Sequence, residues 1–110
     1  MRAGEPLLLL STAGSLSEGR RLACLLVEER AAACVNIVPR IHSCYRWKGK
    51  VENSPETLLL IKTSRRRLAA LSRLIKAHHS YDTPELIALP IRWGDPRYLE
   101  WMAESLQMRR

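Results

Sequence analysis

The sequence predicts an α+β sandwich in which a four-stranded antiparallel sheet carries helices on one face. Three observations lead there. Residues 32–62 read as one long two-stranded ribbon, because Val35, Ile37, Ile41, Tyr45 and Trp47 alternate with Asn36, Arg40, His42, Arg46 and Lys48. Two stripes at helical spacing, Leu22, Leu25, Leu26 and Leu68, Leu71, Leu74, Ile75, flank that ribbon. Short apolar runs before the first stripe and after the second supply two further strands. The order is then β-α-β-β-α-β-α. Two split βαβ units with right-handed crossovers give a ferredoxin-like sheet with a long hairpin between its second and third strands.

Each element has its own reason. Pro6 to Thr12 is nearly continuous in apolar residues, which suits a buried central strand. Ser15-Leu16-Ser17-Glu18 has capping-box spacing and opens the first helix, whose Gly19 weakens it by about 1 kcal/mol relative to Ala. The ribbon's alternation puts an apolar set on one face and a polar set on the other, and Pro39 marks a bend or an edge. Lys48-Gly49-Lys50 turns the chain toward Leu58-Leu59-Leu60-Ile61. Thr63 or Ser64 caps the second helix, which stops near His79. Glu85 to Ile91 is a fourth strand in which Pro90 indicates a bend or edge position. Asp95 or the turn before it caps a last short helix with Leu99, Met102 and Leu106. A ribbon this long overhangs a domain this small, so its ends and the uncovered sheet face are expected to pair with other chains.

The chain has 110 residues, enough for one domain (1–110) with one modest core, and its 46% hydrophobic content excludes a disordered chain. No apolar run approaches the ~20 residues needed to span a bilayer, and Leu7 to Leu10 is too short for a signal-peptide core. Three cysteines, an odd number, fit a reducing compartment, and a cytoplasmic location is expected. Eighteen Lys and Arg against eleven Asp and Glu give a net charge of +7. These charges are scattered rather than held in a stripe, which fits solubility and subunit pairing better than nucleic-acid binding. Arg65-Arg66-Arg67 is the exception. It sits at a predicted helix N-terminus, where cations oppose the dipole, so a bound anion or a neighbouring subunit would compensate them.

His78 and His79 are the foremost metal candidates, since imidazole suits copper, zinc and nickel. Adjacent helical residues point about 100° apart, so both rings reach one ion only where the helix ends. The alternative role is structural: histidines in a last turn satisfy carbonyls and complement the dipole. Cys34 is either a thiol ligand or a small buried hydrophobe, and alternation places it on the polar side of its strand. Cys24 is expected to pack within the first helix. Cys44 belongs to the ribbon, where it is expected to line a subunit contact. No cysteine pair has zinc-type spacing.

Ala32-Ala33-Cys34-Val35-Asn36-Ile37, Ser43-Cys44-Tyr45-Arg46-Trp47-Lys48-Gly49, Ile61-Lys62-Thr63, His78-His79-Ser80-Tyr81-Asp82-Thr83-Pro84-Glu85, Leu86-Ile87-Ala88-Leu89-Pro90-Ile91 and Tyr98-Leu99-Glu100-Trp101 follow one another in a fixed order. Together they resemble the CutA family of divalent-cation tolerance proteins, from about Leu7 to Leu106. The resemblance implies the same fold, a homotrimer whose long hairpins extend neighbouring sheets, no enzymatic activity, and a bound divalent metal, copper foremost. In some bacterial members the copper ligands are the His-His pair and a cysteine ending the first strand. That cysteine's place is taken here by Ser11, a poor ligand for soft ions, and Ser80 stands where the family usually has Pro. Tyr45, Trp47 and Trp101 match family positions expected at the trimer interface. Tyr81 and Glu85 match others and line a pocket hypothesis beside His79. A second reading follows from the likeness of fold and trimer to the PII signalling proteins: a small anionic ligand in intersubunit clefts.

Overall fold

In a computed structural model, which describes residues 4–107, the elements come in the expected order. They are β1 (Pro6–Ala13), α1 (Leu16–Glu28), β2 (Cys34–Trp47), β3 (Lys50–Ser64), a 3-10 turn (Arg65–Arg67), α2 (Leu68–His78), β4 (Ile87–Pro90) and α3 (Pro96–Ser105). The sheet is antiparallel throughout, in the order β2-β3-β1-β4. β1 is central, as its apolar run predicts, and β4 is an edge strand, as Pro90 predicts.

Leu7, Leu9, Ser11 and Ala13 of β1 and Thr57, Leu59, Ile61 and Thr63 of β3 are all buried on the helix-covered face. Leu22 and Leu26 of α1 and Leu71 and Ile75 of α2 close over them, each fully buried and worth about 1.5–3 kcal/mol of transfer free energy. α3 stands apart from that layer: Met102 and Leu106 pack with Ala33 in a second, smaller cluster. Gly19 has a reason beyond helix propensity. A Cβ there would lie 2.9 Å from Thr57 Cγ2, so the glycine lets α1 lie close on β3.

The ribbon departs from the single alternation read in the sequence. Its register runs Val35↔Ile61 and Ile37↔Leu59, then shifts between Val38↔Leu58 and Ile41↔Glu56. Pro39 and Arg40 together oppose Thr57, a β-bulge that reverses which face each later residue occupies. Thr57 Oγ1 donates to the Pro39 carbonyl at 3.3 Å. Val35 and Ile37 therefore share the helix face, whereas Ile41, Ser43, Tyr45 and Trp47 lie on the opposite one, level with Leu58 and Leu60. The hairpin closes through Lys48 and Gly49, with φ of 50° and 80°, and Trp47 pairs Lys50. Two positive φ values in a two-residue loop make a type I′ turn, whose twist matches that of the strands.

Two arginines close helix ends. α1 finishes in a Schellman arrangement in which Ala31 N–H donates to Leu26 O and Arg30 N–H to Val27 O. Arg67 Nε donates to the Arg30 carbonyl at 2.9 Å, and Arg30 Nη1 donates to Ser105 O at the end of α3 at 3.0 Å. Arg67, placed in the sequence reading against an anion or a neighbour, is thus engaged inside the protomer. The expected cap of α2 is also different. Ser64 makes no side-chain cap bond, and Thr63 Oγ1 instead donates to Ala31 O at 2.6 Å. Cys24, expected to pack, is exposed.

Candidate functional site

The junction between β1, α1 and the segment after α2 is organised by two side chains. α2 ends at His78, and His79 turns extended with φ −85° and ψ 143°. The His79 side chain is fully buried. Its Nε2 lies 2.7 Å from the Thr12 carbonyl and its Nδ1 3.0 Å from the Tyr81 backbone nitrogen. A carbonyl only accepts and a backbone N–H only donates, so Nε2 carries the proton and Nδ1 accepts. Glu18 sits beside it, with Oε2 3.8 Å from Nδ1.

Glu18 makes one half of the capping box and directs its carboxylate elsewhere. Its N–H donates to Ser15 Oγ at 3.1 Å, while its buried carboxylate accepts from Gly14 N, Ser80 N and Ser80 Oγ at 3.0, 2.8 and 3.0 Å. Burial alone would push the carboxyl up. The Ser80 and Gly14 backbone N–H groups, the Ser80 hydroxyl and the His79 ring together hold it below the usual carboxylate range. Ser80, where the resemblance expects proline, is therefore anchored through an N–H that proline lacks.

The three metal candidates do not come together. His78 is exposed on the last turn of α2, whereas both nitrogens of His79 are already engaged. A metal at His79 would need the lone pair that Nδ1 gives to Tyr81, so the His-His pair does not act as a pair in this conformation. Cys34 is elsewhere, half-buried at the start of β2 opposite Lys62, with Sγ 3.9 Å from Asn36 Oδ1. Its neighbour is Tyr98, whose phenol is pushed up first by burial and then by the Cys34 charge and hydrogen bond. Ser11 is fully buried and donates to the Glu85 carbonyl at 2.7 Å. Among the described residues no three His, Cys, Asp or Glu side chains converge to hold a metal. The described residues of one protomer do not by themselves offer a complete metal centre.

Tyr81 and Glu85 do share a cleft. It has a volume of about 570 Å³ and lies between the post-α2 segment and the outer half of the ribbon, with Tyr45, Trp47 and Glu56 on the ribbon side. Tyr81 Oη donates to Glu56 Oε2 at 2.8 Å. Burial, followed by the bond to Glu56 and its charge, pushes the phenol up to about 12. Glu56, Asp82 and Glu85 line the cleft and no Lys or Arg does, so its charge opposes an anionic ligand. Trp101 lies on α3, with its ring centroid 5.4 Å from that of Tyr98, away from this cleft.

Sequence reasoning missed Glu56, Thr12 and the reach of Glu18. Glu18 carried a signal, the capping-box spacing, but nothing local announced Ser80 as its partner. Glu56 carried none: its burial follows from the bulge and from a tyrosine contributed 25 residues later.

The sequence matches the family model of the CutA1 divalent ion tolerance protein over residues 7–105. A chloroplastic CutA 1 from rice is 54% identical over 87 residues, 79% of this chain and 49% of the relative, so the chain spans about half the length of that protein. The divalent-cation tolerance protein CutA of Thermus thermophilus is 47% identical over 97 residues, 88% of this chain and 94% of the relative. The crystal structure of CutA1 from Oryza sativa superposes with a TM-score of 0.92 at 46% identity, covering 96% of each chain.

Proposed function

This chain belongs to the CutA1 family of divalent ion tolerance proteins, and from that premise we propose that it is a non-enzymatic protein that binds divalent cations, copper foremost, as a homotrimer in the cytoplasm. The family match over nearly the whole chain, residues 7–105, carries the reading. Three free thiols fit a reducing compartment.

The metal is cargo, and its donors come from more than one protomer. His78 offers an exposed imidazole, the ligand type that suits copper, and Cys34 a half-buried thiol at a different place. A tight site needs a larger donor set than either gives. Assembly is supported by the sheet face opposite the helices, where Leu8, Leu10, Leu58 and Leu60 are only half-buried and Val38, Ile87 and Leu89 are exposed. Such a face is covered when copies associate. The hairpin adds exposed Tyr45, Trp47 and Val51 to the surface a neighbour would meet.

The test is a Cu(II) titration, with Zn(II) beside it, of the wild type, His78→Ala and Cys34→Ser, each checked for mass by light scattering. Copper binding lost from an assembled His78→Ala protein supports the reading. Unchanged binding in both variants removes these residues from it, and a monomeric wild type removes the shared site.

A further inference from the structure

We propose that the outer surface of α1 and α2 binds the phosphate backbone of duplex nucleic acid without reading its sequence. Along the chain the basic residues are scattered, but the fold gathers six of them on this one surface. Arg20 and Arg21 of α1, Arg65 and Arg66 of the 3-10 turn, and Arg73 and Lys76 of α2 are all exposed. Against them stand Glu28 and Glu29 at the end of α1, since Glu18 is buried and neither the turn nor α2 contains an acid. The surface lies on the far side of the helices from the sheet, so it is not the one that the proposed assembly covers.

Helix geometry sets these cations side by side. Leu71 and Ile75 are buried and turn the inner side of α2 toward the sheet. Ala69, Arg73 and Lys76 follow Arg66 at spacings of three, four and three residues, which makes one outward stripe. The Glu18–Ser80 bond sets the start of α1 beside the end of α2, so Arg20 and Arg21 lie at the Lys76 end of that stripe. The arginine and lysine side chains that bond within the protomer are Arg30, Arg46, Lys62 and Arg67. Among the described residues none of the six outer cations has an ion pair or a side-chain hydrogen bond. Cations fixed on one layer without internal partners sum to a positive field that a polyanion neutralises.

The chemistry of the surface selects among polyanions. α1, the turn and α2 contain no Phe, Tyr or Trp, and single strands are held by stacking their bases on such rings. Docking on a membrane needs an apolar face rich in Trp, Phe or Leu, and the large hydrophobic that these helices expose is Val27 alone. Five of the six cations are arginines, whose guanidinium fork bonds phosphate oxygens in pairs. The stripe from Arg66 to Lys76 covers about 15 Å of helix, roughly the rise of four phosphates along one strand. A major groove about 12 Å wide admits one helix, whereas two packed helices about 8–10 Å apart are roughly 20 Å across. The layer therefore meets the backbone and not the base edges. The inference does not rest on the metal reading and can fail or hold without it.

Fluorescence anisotropy of the metal-free protein with two short labelled DNA duplexes of unrelated sequence tests it, over a series of salt concentrations. The matching single strand, anionic phospholipid vesicles and polyglutamate serve as competitors. Both duplexes are expected to bind with the same affinity, and log K to fall against log[salt] with a slope of about −3 to −4. Arg73→Glu/Lys76→Glu is expected to weaken binding about tenfold or more and to flatten the slope by about 2. Arg92→Glu/Arg97→Glu makes the same charge change on exposed residues outside this layer, and its affinity is expected to stay within about threefold of the wild type. If the first charge reversal disturbs folding, Arg66→Ala/Arg73→Ala takes its place with the same expectation. Absence of duplex binding at low salt overturns the proposal. Equal weakening by the two charge reversals overturns it by making net charge alone responsible. Tighter binding of the single strand, the vesicles or polyglutamate than of the duplex overturns it too.

Discussion

Glu18 and Ser80 are joined twice across 62 residues of sequence. One carboxylate oxygen accepts the Ser80 N–H at 2.8 Å and the other its hydroxyl at 3.0 Å. The pair ties the first turn of α1 to the residue two past the end of α2. It holds the backbone from which His79 enters the core and Tyr81 reaches Glu56.

Ser80→Pro removes the N–H and leaves a buried carboxylate oxygen short of a donor. It is expected to destabilise the protein by about 1–3 kcal/mol, whereas Ser80→Ala, which keeps the N–H, costs about 0.5–1.5 kcal/mol. Denaturant unfolding of both variants checks the order. If proline is the milder change, the backbone bond is not the important one.

Two of the three shifted groups, Glu18 and Tyr81, bracket the pH profile. Glu18 has a folded pKa below its ordinary 4.5, so its contribution is complete above that value and is lost as pH falls through the lower folded one. Tyr81 is raised from 10 to about 12, so its contribution is complete below pH 10 and is lost as pH rises toward 12. Thermal unfolding across pH should show the acid loss diminished in Glu18→Gln and the alkaline loss diminished in Tyr81→Phe. Ultraviolet titration should show one fewer late-ionising tyrosine in Tyr81→Phe.

His79→Ala and His78→Ala are expected to behave differently. The first deprives the Thr12 carbonyl and the Tyr81 N–H of their partners and opens a cavity, costing about 2–4 kcal/mol. The second alters an exposed side chain, and its effect should lie within about 0.5 kcal/mol. Comparable unfolding midpoints for the two variants would contradict the structural role of His79.

Gly19→Ala improves helix propensity yet brings a Cβ to 2.9 Å from Thr57 Cγ2. Overpacking of this kind costs about 1–3 kcal/mol, more than the ~1 kcal/mol gained in the helix. Gly19→Ala should therefore unfold at lower denaturant than the wild type, and Thr57→Ser, which removes the methyl, should restore part of the loss.

Local patterns were legible wherever one element's own residues set the outcome. The capping box placed α1, Asp95 placed α3 through bonds to the Arg97 and Tyr98 N–H groups, and Pro90 marked the edge strand. Pro39 signalled an irregularity but not its kind. A bulge is a mismatch between two strands, and the strand carrying Pro39 does not reveal that Thr57 alone will oppose it. The faces of Ile41, Tyr45 and Trp47 were therefore read as those of Val35 and Ile37, and the tertiary pairing reversed them.

The sequence by itself determined the element order, the antiparallel hairpin and the family, because periodicity, caps and motif order are properties of neighbouring residues. Only the tertiary structure decided which histidine is free and which is locked, that Cys34 lies with Tyr98 rather than with the His pair, and that Glu56 is buried beneath Tyr81. Those outcomes depend on groups brought together from distant parts of the chain. A carbonyl on β1 and an N–H after α2 fix the His79 tautomer. No pattern within either segment encodes the 2.7 Å and 3.0 Å contacts that result.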